Sequence, residues 1–114
     1  MATLKINQKS YDIPELNFRH SQIMEQCGLP VEGMVSRKYL LTAVQAFTVI
    51  VTNAEPEYAY ELIQQHIMGG GSLEDIYKAY VQALKDSAFF KKLLHLEEEK
   101  KTATKKPVPD EKAL

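Results

Sequence analysis

Residues 36–53 read SRKYLLTAVQAFTVIVTN. Between Tyr39 and Val51 no residue is charged, and only Thr42, Gln45 and Thr48 are polar. Tyr39, Leu40, Ala43, Val44, Phe47, Ile50 and Val51 fall at helical spacing, and Leu41, Ala46 and Val49 put apolar groups on the remaining faces. A helix that is apolar nearly all round is normally enclosed by the rest of its fold. The stretch is shorter than the about 20 apolar residues needed to span a bilayer. Phe47 to Thr52 has the β-branched and aromatic composition of a strand. The length of the apolar run and the Ser36 hydroxyl, placed as an N-cap, favour a helix over 36–53.

Outward from this helix, the chain of 114 residues has the length of one domain and enough material for a core without disulfides. Its 45% hydrophobic and 25% charged content is that of an ordinary globular protein. A net charge of −1 gives no general attraction to nucleic acid or anionic membrane. Residues 100–114 carry five lysines against Asp110 and Glu111, a local charge of +3 that leaves −4 on residues 1–99. The single cysteine, Cys27, excludes an internal disulfide and a cysteine-based zinc site. It reads as a small apolar residue near a helix end. The opening MATLKINQKS lacks the apolar run of a signal peptide, so a soluble, cytosolic protein is expected.

Before the central helix, Thr3 to Ile13 alternates, with Leu4 and Ile6 on one side and Lys5 and Asn7 on the other. This predicts a hairpin over 3–13 with a polar turn at Gln8-Lys9-Ser10, ended by Pro14. Asn17 is placed to cap a short helix to about Gln26, with Ile23, Met24 and Cys27 inward and Gly28 as its left-handed stop. Leu29 to Val35 reads as a loop.

After it, Asn53-Ala54-Glu55-Pro56 joins the central helix to a third one running to about Met68. Ala59, Leu62, Ile63, His66 and Ile67 form its apolar stripe, and Gly69-Gly70-Gly71 ends it. Ser72 opens a fourth helix, with Asp75 three residues on as a shortened capping box. Its stripe is Leu73, Ile76, Tyr77, Tyr80, Val81 and Leu84. Asp86-Ser87 interrupts the pattern. A fifth helical stretch follows, carrying Phe89, Phe90, Leu93 and Leu94 and closing on the charges Glu97 to Lys101. The expectation is a mainly α domain over 1–99, a small bundle of four to five helices around helix 36–53, with a disordered charged tail at 100–114.

Candidate chemistry is sparse. His20, His66 and His95 lie in three segments, and no pair has the i, i+4 spacing of a helical metal site. His66, on an apolar stripe, reads as a core or boundary residue. Glu74 and Asp75 start a helix, where the dipole stabilises carboxylates. The glycine run could cradle a phosphate, but it lacks the spacing and lysine of a P-loop, and Glu74 and Asp75 put negative charge there. No catalytic residue, metal site or cofactor site is legible, so a non-enzymatic protein is expected. Helix, glycine turn, helix also matches a small DNA-binding regulator of helix-turn-helix type, although the acidic Ser72-Leu73-Glu74-Asp75 end would face phosphates. Phe89, Phe90, Leu93, Leu94 and Leu96 crowd a terminal helix between charged ends. They either dock back onto the central helix or form a surface for a partner helix or for self-association.

In its order of parts the chain resembles the tail assembly chaperones of long-tailed phages and prophages of Gram-positive bacteria. TLKINQKSYDI is similar to the family's opening hairpin. The apolar helix, EPEYAYELIQQHI, GGGSLEDIYKAYVQAL, the Ser87-Ala88-Phe89-Phe90-Lys91-Lys92-Leu93 segment and a charged tail follow in the same order, over roughly residues 3 to 99. The resemblance implies a non-enzymatic helper that binds the tape measure protein, keeps it soluble and helps recruit tail tube subunits. It also implies work in the bacterial host cytoplasm and absence from the mature virion. From the residues themselves, no cofactor, nucleic acid or membrane partner is expected. The family supplies no catalytic residues.

Overall fold

The computed structural model describes residues 2–96. The chain forms a hairpin, β1 (Thr3–Ile6) and β2 (Lys9–Asp12), then helices α1 (Phe18–Gln26), α2 (Leu40–Thr52), α3 (Pro56–Met68), α4 (Leu73–Asp86) and α5 (Ala88–Leu93). Short 3-10 turns at Val31–Gly33 and Arg37–Tyr39 lie between α1 and α2. It is mainly helical, with an N-terminal two-stranded antiparallel sheet.

α2 is the centre. It packs against α1, α3, α4 and β2. Ala43, Val44, Ala46, Phe47, Thr48 and Ile50 are buried along it. The strand-like composition of its second half does not prevent a helix. The Thr48 and Thr52 hydroxyls donate back to the carbonyls of Val44 and Thr48, both at 2.7 Å, so the buried Thr48 side chain is satisfied within its own helix. Asn53, left-handed at φ 58°, ends it. Two expectations change. The α-helix starts at Leu40, because Ser36 caps the tighter Arg37–Tyr39 turn by accepting from the Lys38 N–H. The helix is also not enclosed all round: Leu41 is 67% exposed.

The hairpin register pairs Ile6 with Lys9, so its loop is Asn7-Gln8, one residue earlier than the polar cluster indicates. Both loop residues have positive φ, 51° and 70°. A two-residue loop with that geometry matches the twist of the strands, and Asn tolerates it better than most residues. Leu4 and Ile6 are buried, and β1 rests on α3 and α4.

Helix ends follow the sequence closely. Asn17 accepts from the Arg19 N–H, and Gly28 turns the chain at φ 97°. Ser72 and Asp75 form a reciprocal capping box, with each side chain accepting the other's backbone N–H. α4 buries Ile76, Tyr77, Tyr80, Ala83 and Leu84. The Phe47 and Tyr80 rings meet edge to face at 5.7 Å, and the Tyr80 hydroxyl donates to the Met34 carbonyl at 2.5 Å. That bond ties the loop before α2 to the middle of α4. Residues 97–114, including the charge run and the lysine-rich tail, lie outside the described residues.

Candidate docking surface

The chain from Ser87 to Leu96 divides between core and surface. Ser87 caps α5 and is buried. Phe90 is fully buried (0% exposed) in the core and is not available to a partner in this fold. Phe89 is half-buried, edge-on to Phe90 at 5.0 Å and to Phe18 at 6.1 Å. Leu94 and Leu96 are half-buried against the core. Leu93 is 36% exposed and Phe18, at the start of α1, 61%. The segment thus docks back onto the domain, mostly along α4, and leaves a small apolar surface at Phe18, Phe89 and Leu93.

The larger opening is elsewhere. α2 and α3 follow one another across the short Asn53–Glu55 connection and pack together, and their outer faces form a groove of about 400 Å³. α2 supplies Leu41, Thr42 and Gln45. α3 supplies Tyr60, Ile63, Gln64, Ile67 and Met68, spaced i, i+3, i+4, i+7 and i+8. None of these side chains is charged. Met68 is 80% exposed, and Tyr60 and Ile67 are exposed as well. α3 is therefore apolar on two faces. Ala59, Leu62 and His66 face the core, while the groove stripe faces outward.

Periodicity places Ile63, His66 and Ile67 in one stripe, and that stripe is wider than the face α3 buries. What the sequence does signal is surplus: Leu41 lies off the inward face of α2, and Met68 and Tyr60 lie off that of α3. Such a surplus, gathered into one uncharged trough, matches the shape and chemistry of a site for the apolar stripe of another helix.

The groups whose titration the fold shifts lie away from this groove. Burial raises the Cys27 thiol above its ordinary value, which disfavours the reactive thiolate. Burial, then the charge of Arg19, lowers the His20 imidazole. Its Nδ1 accepts the Asn17 N–H at 3.0 Å, giving α1 a capping box with histidine in place of the usual Glu or Gln. The carboxyl of Glu74 is lowered by its hydrogen bond with Arg37, whose guanidinium also lies over the Tyr77 ring at 5.1 Å. Among the described residues, no group of three or more His, Cys, Asp or Glu is arranged to hold a metal ion. No helix among them is long and apolar enough to cross a membrane. In the helix-turn-helix candidate, α4 turns its apolar face into the core, and its leading end presents Glu74 and Asp75.

Comparison with protein-family models, curated proteins and solved structures finds no match to this chain.

Proposed function

We propose that this protein is a non-enzymatic tail assembly chaperone that holds an amphipathic helix of the tape measure protein in the α2–α3 groove and helps recruit tail tube subunits around it. The observation that carries the reading is the groove itself: eight uncharged lining residues, with Leu41, Tyr60, Ile67 and Met68 left exposed. An apolar stripe at i, i+3, i+4, i+7 is the pattern by which one helix seats on another. The order of parts, from hairpin to Ser-Ala-Phe-Phe segment, supports the tape measure protein as the client. On this reading the protein works in the bacterial host cytoplasm and is absent from the finished virion.

The test is co-expression with a phage tape measure protein. The client is expected to become soluble and to co-purify. Leu41→Asp combined with Ile67→Asp should abolish co-purification, while the helical CD signal and the melting transition stay close to those of the parent, because both side chains are exposed. A client that stays insoluble at every ratio would sink the reading. A salt-dependent mobility shift with duplex DNA would instead favour the DNA-binding regulator, since phosphate contacts are strongest at low salt.

A further inference from the structure

His66 stands where three elements meet. It is carried by the last turn of α3 and lies against the hairpin tip and the first turn of α4. The Asn7 backbone N–H donates to its Nδ1 at 3.0 Å. That bond requires the neutral imidazole with its proton on Nε2. Nε2 is buried and has no hydrogen-bond partner. Asp75 Oδ2 lies 3.5 Å from it. Gly71 closes the same edge of the ring, where a Cβ would overlap Nε2.

We propose that His66 is a proton-operated latch: neutral, it fastens the hairpin tip to the helices; protonated, it releases the tip and swings toward Asp75. The second proton can only go to Nδ1. There it replaces an acceptor by a donor, so two N–H groups face each other in a partly buried contact. Leaving the Asn7 N–H without its acceptor is the costly part of the exchange. The charges around the ring favour the same movement. On α4, Asp75 attracts the imidazolium, while Glu74 beside it is committed to Arg37. On the hairpin, Lys5 lines the same hollow, whereas the Lys9 ammonium lies over the Tyr11 ring at 5.5 Å. α3 has no charged residue from Leu62 to Met68 apart from the histidine itself.

Release is local. Leu4 and Ile6 stay buried and keep the strands in place. The tip's other tie, from Asn7 Nδ2 to Gln65 Oε1 at 2.9 Å, is exposed and does not titrate. The two left-handed residues of the loop, Asn7 and Gln8, relax once the anchor is lost.

The experiment is an NMR titration of the full chain from about pH 8 to about pH 5, a range that spans imidazole titration. It follows the His66 ring protons and the hydrogen-exchange protection of the Asn7 amide. Protection is expected to fall about tenfold or more, with the midpoint of the His66 ring. In His66→Asn, whose side-chain oxygen falls near the Nδ1 position but does not titrate, Asn7 should stay protected throughout. In Asp75→Asn, the Asn7 transition should still follow the ring, wherever the ring titrates. An Asn7 amide that stays protected while His66 titrates overturns the latch, as does an Asn7 transition that does not track the ring in the Asp75→Asn protein.

Discussion

The Ser87 hydroxyl donates to the Leu16 carbonyl at 2.6 Å, joining positions 71 residues apart in the buried interior. The same oxygen accepts the Phe90 N–H at 3.1 Å. One small side chain thus caps α5 and anchors the segment between the hairpin and α1. Ser87→Ala removes a helix cap and strands a buried carbonyl, a combined loss of about 2–3 kcal/mol. Urea unfolding should show a lower midpoint with an unchanged slope, and a loss under about 0.5 kcal/mol would contradict the dual role.

Phe90 and Leu93 are three residues apart and differ sharply in surroundings. Phe90→Ala leaves a cavity in the core and should cost about 3–5 kcal/mol. Leu93→Ala, at a site already in partial contact with water, should cost less than about 1 kcal/mol. Paired thermal melts check this, and comparable losses would mean that α5 is packed differently.

The glycines after α3 answer to different constraints. Gly70 has φ 105°, and an added methyl there would meet nothing within 4 Å, so Gly70→Ala faces backbone strain alone, about 1–2 kcal/mol. Gly71 has no positive φ but abuts the His66 ring, so Gly71→Ala must displace a buried side chain, at about 1–3 kcal/mol. The two are separable by the His66 ring resonances, which should move strongly in Gly71→Ala and little in Gly70→Ala.

Burial raises the Tyr80 phenol well above its ordinary range, with the neighbouring Tyr77 adding to the effect. The unfolded chain releases that proton near about pH 10, before the folded chain does. Folding therefore keeps the full contribution of Tyr80 below that pH and loses it as pH rises through the gap. Stability measured from about pH 9 to about pH 11 should fall more steeply in the parent protein than in Tyr80→Phe. At neutral pH, Tyr80→Phe should cost about 1–2 kcal/mol, because the Met34 carbonyl loses its donor.

His20 gives the acid counterpart. Its imidazole is lowered by burial and by Arg19, so the folded state favours the neutral ring. Its contribution is present above the ordinary imidazole range and is lost as pH falls through the lowered value. His20→Asn should flatten the acid limb of the stability profile in denaturant titrations between about pH 7 and about pH 5.

The helices, their caps and the hairpin are legible in the sequence because each rests on neighbours within four residues: Asn17, Gly28, Ser72 with Asp75, the alternation of Leu4 and Ile6. The Asn7-Gln8 turn is not, because without glycine its left-handed pair leaves little trace in composition. His20 escapes notice as a capping residue because the N3 partner of a capping box is usually Glu or Gln. The α2–α3 groove is half legible. Surplus apolar residues on α2 and α3 can be counted along the chain, but which of them stay uncovered depends on where β1, α1 and α4 come to rest. The Ser87–Leu16 and Tyr80–Met34 bonds span 71 and 46 residues, beyond the reach of any local pattern.

The wall of the groove also makes the protein a convenient optical partner. The chain has six tyrosines and no tryptophan. Tyr77 and Tyr80 are buried, whereas Tyr60 stands open on α3. If a helix bearing an indole seats in the groove, the indole can be excited selectively in the mixture, and a change in its emission would report its arrival without any attached dye.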